Sequence, residues 1–171
     1  RNPAAGDSIF LYAGTYAGPL TLLNNQKLLG QGATASLPAM TGLTPPAGSL
    51  ALPATGGTRP TISGNSGGVA LASGNLVRGL NLSNGGGTSL GGGSLGALTV
   101  TEAAVTNTAG VAVDLAGGAL QVILNSVSAA GGANGIVLAH ATGSFAVTGD
   151  GALAQNGTGG TIQNTAGTLA L

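Results

Sequence analysis

The apolar residues of this chain fall in short runs that alternate with small polar ones. Val69-Ala70-Leu71, Leu98-Thr99-Val100, Val111-Ala112-Val113, Leu120-Gln121-Val122 and Phe145-Ala146-Val147 each have a period of two and are bounded by Gly, Asn or Ser. In an extended backbone successive side chains point to opposite faces, so this pattern predicts short strands with one buried face. Helical periodicity is poor. Glycine interrupts nearly every ten residues, and each interior glycine costs a helix about 1 kcal/mol relative to alanine.

The runs recur. Leu98, Val100 and Val105 are followed 22 residues later by Leu120, Val122 and Val127, and Gly110-Val111-Ala112-Val113 is followed 25 residues later by Gly135-Ile136-Val137-Leu138. Thr61-Ile62 precedes Val69-Ala70-Leu71 by the offset at which Thr161-Ile162 precedes Leu169-Ala170-Leu171. A period of about 22–25 residues holding two or three strands predicts a solenoid, in which each strand stacks in parallel on its equivalent in the next coil. Gly and Asn then belong at the corners, where positive φ is needed, and Asn84-Gly85, Asn134-Gly135 and Asn156-Gly157 fit that role. An antiparallel sandwich or barrel also has many short strands, but hairpins do not require a register preserved over such a distance.

The N-terminal third reads as a strand and a turn over Asp7–Tyr16, and as two more strands within Pro19–Gly32 joined by a turn at Asn24-Asn25. Residues 33–58 are rich in Pro, Gly, Ala and Thr, which predicts an irregular loop extruded from a coil. Gly6-Asp7-Ser8-Ile9-Phe10-Leu11-Tyr12-Ala13-Gly14-Thr15-Tyr16, Leu20-Thr21-Leu22 and Lys27-Leu28-Leu29-Gly30-Gln31-Gly32 resemble the opening coils of pectin-lyase-like β-helices. Arg59-Pro60-Thr61-Ile62-Ser63 and the stretch from Val69 to Leu80 continue that likeness. Gly143-Ser144-Phe145-Ala146-Val147-Thr148-Gly149 with Gly160-Thr161-Ile162-Gln163-Asn164-Thr165 resembles the repeats of giant bacterial β-helix surface proteins. The resemblance covers the chain outside about 33–58. It implies an all-β, right-handed, single-stranded parallel β-helix with three strands per coil, belonging to an exported protein. One domain spanning 1–171 is expected. Both ends, Arg1-Asn2-Pro3 and Thr168-Leu169-Ala170-Leu171, read as cuts from a longer polypeptide.

Composition narrows the partners. The sequence has 171 residues, of which 34 are Gly and 5% are charged; formal net charge is zero. Four Lys or Arg cannot neutralise a run of phosphates, so nucleic-acid binding is not expected. Cysteine is absent, which excludes disulfides and thiolate metal sites. No apolar run is long enough for a membrane helix. Gly85-Gly86-Gly87 and Gly91-Gly92-Gly93 lack the Lys-Ser/Thr and helix of a phosphate loop.

The titratable inventory is thin: Asp7, Glu102, Asp114, Asp150, His140, Arg1, Lys27, Arg59 and Arg78. Sugar-cleaving chemistry needs paired carboxylates or a clustered cation site with a base. Asp114 and His140 come nearest. The 25-residue register aligns Asp114 with Ala139 and His140 with Leu115, which sets them on opposite faces and makes His140 a core or corner residue. Glu102 aligns with Leu124 and is expected at a bend or bulge that exposes it, because a buried unpaired carboxylate costs several kcal/mol. Arg78 is expected outside, Lys27 solvated, Asp150 in a turn, and Phe145 buried. Asn81-Leu82-Ser83 and Asn156-Gly157-Thr158 match the glycosylation sequon, read as coincidence in a bacterial chain. Thr99, Thr101, Thr106 and Thr108 meet Gln121, Ile123, Ser128 and Ala130 one coil on, so no threonine rows form for ice.

No catalytic, cofactor or metal site is therefore assigned. The expectation is a non-enzymatic repeat segment of a secreted or cell-surface bacterial protein: a stalk, filament or adhesin passenger able to self-associate end to end. The alternative is a pectin-lyase-like domain that binds or cleaves carbohydrate, with a surface glycan as partner. A third reading makes 33–58 a recognition loop on a passive domain.

Overall fold

The computed structural model describes residues 3–151 and 157–166. They form a parallel β-solenoid of about six turns. Coil 1 comprises β1 (Ser8–Leu11), β2 (Thr15–Ala17) and β3 (Leu20–Thr21). Coil 2 comprises β4 (Lys27–Gly30), β5 (Thr61–Gly64) and β6 (Val69–Ala70), with helix α1 (Leu37–Thr41) between its first two strands. Coil 3 comprises β7 (Leu76–Arg78), β8 (Asn81–Asn84) and β9 (Thr88–Gly93). The strands then run around corners: β10 (Ala97–Asn107), β11 (Val111–Ala130) and β12 (Ile136–Val147), with β13 (Ile162–Gln163) after them.

Three faces result, and each is a column of equivalent strands. On face A, Ile9 pairs with Leu28, Leu28 with Val77, Val77 with Val100, Val100 with Val122, and Val122 with Phe145. On face B the column is Tyr16, Ile62, Leu82, Val105 and Val127. Face C runs Leu20, Val69, Leu90, Val113 and Ile136. Every described pairing is parallel. Leu28, Val77, Val100, Val105, Val113 and Val122 are fully buried, so aliphatic columns fill the interior. Removing this apolar area from water is the main stabilising term.

The 22-residue register holds as Leu98↔Leu120, Val100↔Val122 and Val105↔Val127. The 25-residue register does not. Ile136 lies on Val113 rather than Val111, a step of 23. A slip of two keeps each side chain on its face, so the alternation in the sequence could not reveal it. The expected equivalence of Thr161-Ile162 with Thr61-Ile62 also slips by two: the column of Ile62 runs through Leu82 and Val105 to Val127, whereas Ile162 pairs with Ala129; the matching Leu169-Ala170-Leu171 lies outside the described residues.

The corners also differ from expectation. Gly85 and Gly135 do not have positive φ; Gly87 does, at 61°. Asn84 instead ends β8 with its side chain buried. Asn156 lies outside the described residues, and Gly157 has φ 76°. Positive φ recurs in columns: Ser94, Gly117 and His140 stand over one another at φ 56°, 68° and 51°. Glu102 at φ 54° stands over Gly79 at φ 74°. One more buried amide fastens the B–C corner. The Asn107 Oδ1 accepts from the Gly110 N–H at 2.6 Å, and its Nδ2 donates to the Gly87 and Val111 carbonyls, each at 3.1 Å.

Leu28 and Val77 are 49 residues apart, whereas Val77 and Val100 are 23 apart. The surplus equals the length of segment 33–58. This segment is not wholly irregular. Ser36 caps α1 by accepting from the Ala39 N–H, proline sits in the first turn, and Gly42 ends the helix at φ 75° with its N–H on Pro38 O. These are the residue types that start and stop helices. Leu37 and Met40 of α1 are buried with Leu29 and Ala33, against Phe10, Leu52 and Leu76. A second small core thus lies on the outer side of face A. The Lys27 ammonium donates to the Met40 carbonyl at 2.9 Å, so this lysine fastens the helix end rather than standing free in solvent.

Candidate functional site

Two features stand out on the outer surface. The first is at the corner between faces A and B, where Arg78 ends β7 and Glu102 is the extra residue of a bulge in β10. Thr101 pairs with Ile123 and Ala103 with Leu124, leaving Glu102 without a rung. Leu124, its expected equivalent, therefore belongs to Ala103. The bulge turns the carboxylate outward and onto Arg78, whose Nε and Nη2 donate to its two oxygens at 2.8 Å each. The Thr34 N–H donates to Glu102 Oε2 at 3.0 Å, and the Thr34 hydroxyl donates to Oε1. Glu102 and Arg78, expected as separate exposed charges, are a half-buried ion pair that also clasps the start of segment 33–58.

The Arg78 guanidinium, followed by the Thr34 hydrogen bonds, holds the Glu102 carboxyl down at about 2, against an ordinary 4.5. Pairing raises the Arg78 pKa. Because the folded pKa of Glu102 lies below the unfolded one, its stabilising contribution is whole above about pH 4.5 and drains away as pH falls toward 2. Glu102→Gln is expected to cost about 1 kcal/mol at pH 7, given the partial exposure of the pair. It should cost progressively less below pH 4.5; urea unfolding across that range measures it.

The second feature is a groove of about 500 Å³ on the outer side of face C. Its floor is Ala70, Gly91 and Gly93, flanked by Pro19, Ser66, Thr88, Asp114 and Ala116. The groove exists because the outward positions of β6 and β9 carry little or no side chain. At Gly93 a Cβ would find nothing within 4 Å. Asp114 is the one charged side chain lining it. A lone carboxylate can accept hydrogen bonds from a hydroxyl-rich ligand, but it has no partner acid for hydrolysis.

His140 does not join it. Ala116 pairs with Ala139 and Gly118 with Ala141, so His140 stands opposite Gly117 at an exposed corner, not opposite Leu115. It lines a separate, smaller depression with Leu138, Phe145 and neighbours. No hydrogen bond links Asp114 and His140 among the described residues. Phe145 is half-buried and packs against the core. Asp150 lies in an exposed turn, where its N–H donates to the Thr158 hydroxyl at 3.0 Å. Thr99, Thr101 and Thr106 pair with Gln121, Ile123 and Ser128.

Among the described residues no three His, Cys, Asp or Glu side chains gather as a metal site, and no helix is long and apolar enough to cross a membrane. Sequence reasoning missed the Thr34–Arg78–Glu102 cluster. A usable signal existed: Arg78 and Glu102 are opposite charges about one coil apart. The groove left no signal except the glycines themselves. No family model, curated protein or solved structure matches this chain.

Proposed function

We propose that the chain is a structural repeat segment of a secreted or cell-surface bacterial protein, a stalk, filament or adhesin passenger without enzymatic activity. The observation that carries this reading is the distribution of side chains. Aliphatic columns run through the interior on all three faces, while the few charged groups among the described residues are scattered or committed to fastening a loop. The likeness to pectin-lyase-like coils and to bacterial surface repeats supports export and an extended parent protein. It does not bring a catalytic cluster with it, since this fold hosts many functions.

The groove on face C favours carbohydrate binding as the second reading. Sugar sites usually add aromatic platforms to their polar groups, and no aromatic residue lines this groove. The expected outcome is no cleavage of polyuronates and no retention on a glycan array. Saturable glycan binding abolished by Gly93→Trp, which would fill the groove without a backbone clash, would overturn the structural reading in favour of a lectin-like one.

A further inference from the structure

Leu50 is the most exposed large hydrophobic side chain among the described residues, at 94%. It belongs to segment 33–58, and every residue from Pro46 through Ala51 is exposed. The neck of that segment is closed: the Gly56 N–H donates to Ala33 O at 2.8 Å and the Gly57 N–H to Gln31 O at 3.0 Å. Beyond the neck, Leu37 and Met40 of α1, with Leu52, are held by the small core. Between Leu43 and Thr55 one backbone-to-backbone hydrogen bond forms among the described residues, from the Ser49 N–H to Pro46 O. The backbone groups of Leu50 and Ala51 are therefore open to a partner.

An endoprotease needs such a stretch. It takes several residues in extended form, pairs with their backbone groups and seats one side chain in its S1 pocket. Nicking concentrates at exposed loop tips of small residues, and Ala47, Gly48, Ser49 and Ala51 surround Leu50. Other exposed apolar side chains sit on committed backbone. Tyr12 O accepts from the Tyr16 hydroxyl, and the Ala13 N–H donates to Gln31 Oε1. Leu23 O accepts from the Gln26 N–H and from Asn75 Nδ2. The Leu43 N–H donates to Thr41 Oγ1. The basic side chains are guarded too. Lys27 and Arg78 lie in strands paired on both sides. Arg59 is followed by Pro60, whose ring nitrogen carries no hydrogen.

A cut at Leu50–Ala51 falls inside coil 2, between β4 and β5, yet all three faces bridge it. On face A, β4 pairs with β7; on face B, β2 pairs with β5; on face C, β3 pairs with β6. Leu22 and Leu28, from before the cut, share one core with Ile62, Val69 and Val77, from after it. The bonds from Thr34 to Glu102 cross the cut as well.

We infer that the chain carries a processing site at Leu50–Ala51, hydrolysed by an endoprotease with an apolar S1 pocket, and that the two pieces persist as one solenoid. One water adds across the bond: its hydroxyl completes the new Leu50 carboxyl group and its hydrogen the new Ala51 amine. Such processing does not depend on the structural reading above.

Limited chymotrypsin digestion of the folded chain tests it, with trypsin in parallel. Chymotrypsin is expected to nick once, with mass spectrometry placing the new ends at Leu50 and Ala51. The pieces should co-elute at the position of the uncut chain and separate only in denaturant. Trypsin should leave the folded chain whole at Lys27, Arg59 and Arg78, and should cut at Lys27 and Arg78 once urea unfolds it. Leu50→Asp should slow the nick at that bond at least about tenfold, because an apolar pocket must then take a carboxylate from water. Its urea-unfolding midpoint should match that of the parent chain, which separates a lost protease contact from a changed fold.

A first cut inside the solenoid overturns the site. So does a segment left uncut under conditions that digest the unfolded chain, or an unchanged nicking rate in Leu50→Asp. Pieces that part without denaturant overturn the persistence of the nicked solenoid.

Discussion

Val100→Asp is expected to abolish cooperative folding. Val100 is fully buried and sits mid-column between Val77 and Val122. A carboxylate there has aliphatic neighbours above and below. An unpaired buried charge costs at least several kcal/mol, against a total stability of about 5–15 kcal/mol for a whole domain. In a solenoid each coil is stabilised by contact with its neighbours, so a broken middle rung also weakens both halves. Thr99→Asp, one residue earlier on the outward side, should change stability by about 0.5 kcal/mol or less. Far-UV circular dichroism during urea unfolding separates the two outcomes.

The second large effect is expected at a corner. Gly118 has φ 93°, and a Cβ built there would lie 2.3 Å from the Gly96 carbonyl oxygen in the coil below. Both objections involve backbone, so no side chain can rotate away. Gly118→Val adds a β-branched residue to a conformation that already costs a non-glycine residue about 1–3 kcal/mol, and it pushes two coils apart. A loss of more than about 3 kcal/mol is expected. Gly93→Ala, on the open floor of the groove, should be near neutral. Parallel thermal or urea melts of the two variants measure the contrast.

These two sites show what could be read from the chain and what could not. Alternation in Leu98-Thr99-Val100 and Leu120-Gln121-Val122 reports side-chain faces directly, and a 22-residue spacing between identical patterns reports the partner. The buried set and the parallel stack were legible for that reason. The Val113↔Ile136 pairing was not, because side-chain alternation has a period of two and is blind to an even slip. The corner that carries His140 is set by backbone conformation shared with Ser94 and Gly117, three chemically unrelated residues. The bulge at Glu102 was legible, because a carboxylate in register with Leu124 had to leave the column, but its clasp by Thr34 was not, since it joins positions 68 residues apart. Helix α1 had its signals in Ser36, Pro38 and Gly42, but five residues are too few for helical periodicity to declare itself.

The functional reading depends on the stacking of coils in one direction, and distances down one outward column test it most directly. Spin labels placed pairwise at Ser8 and Thr99, and at Ser8 and Ser144, in chains diluted with unlabelled protein, should report separations that grow by about 4.8 Å per coil. The expected backbone separations are about 14 Å for the first pair and about 24 Å for the second. Finding Ser144 no farther from Ser8 than Thr99 is would contradict the solenoid and the functional reading built on it.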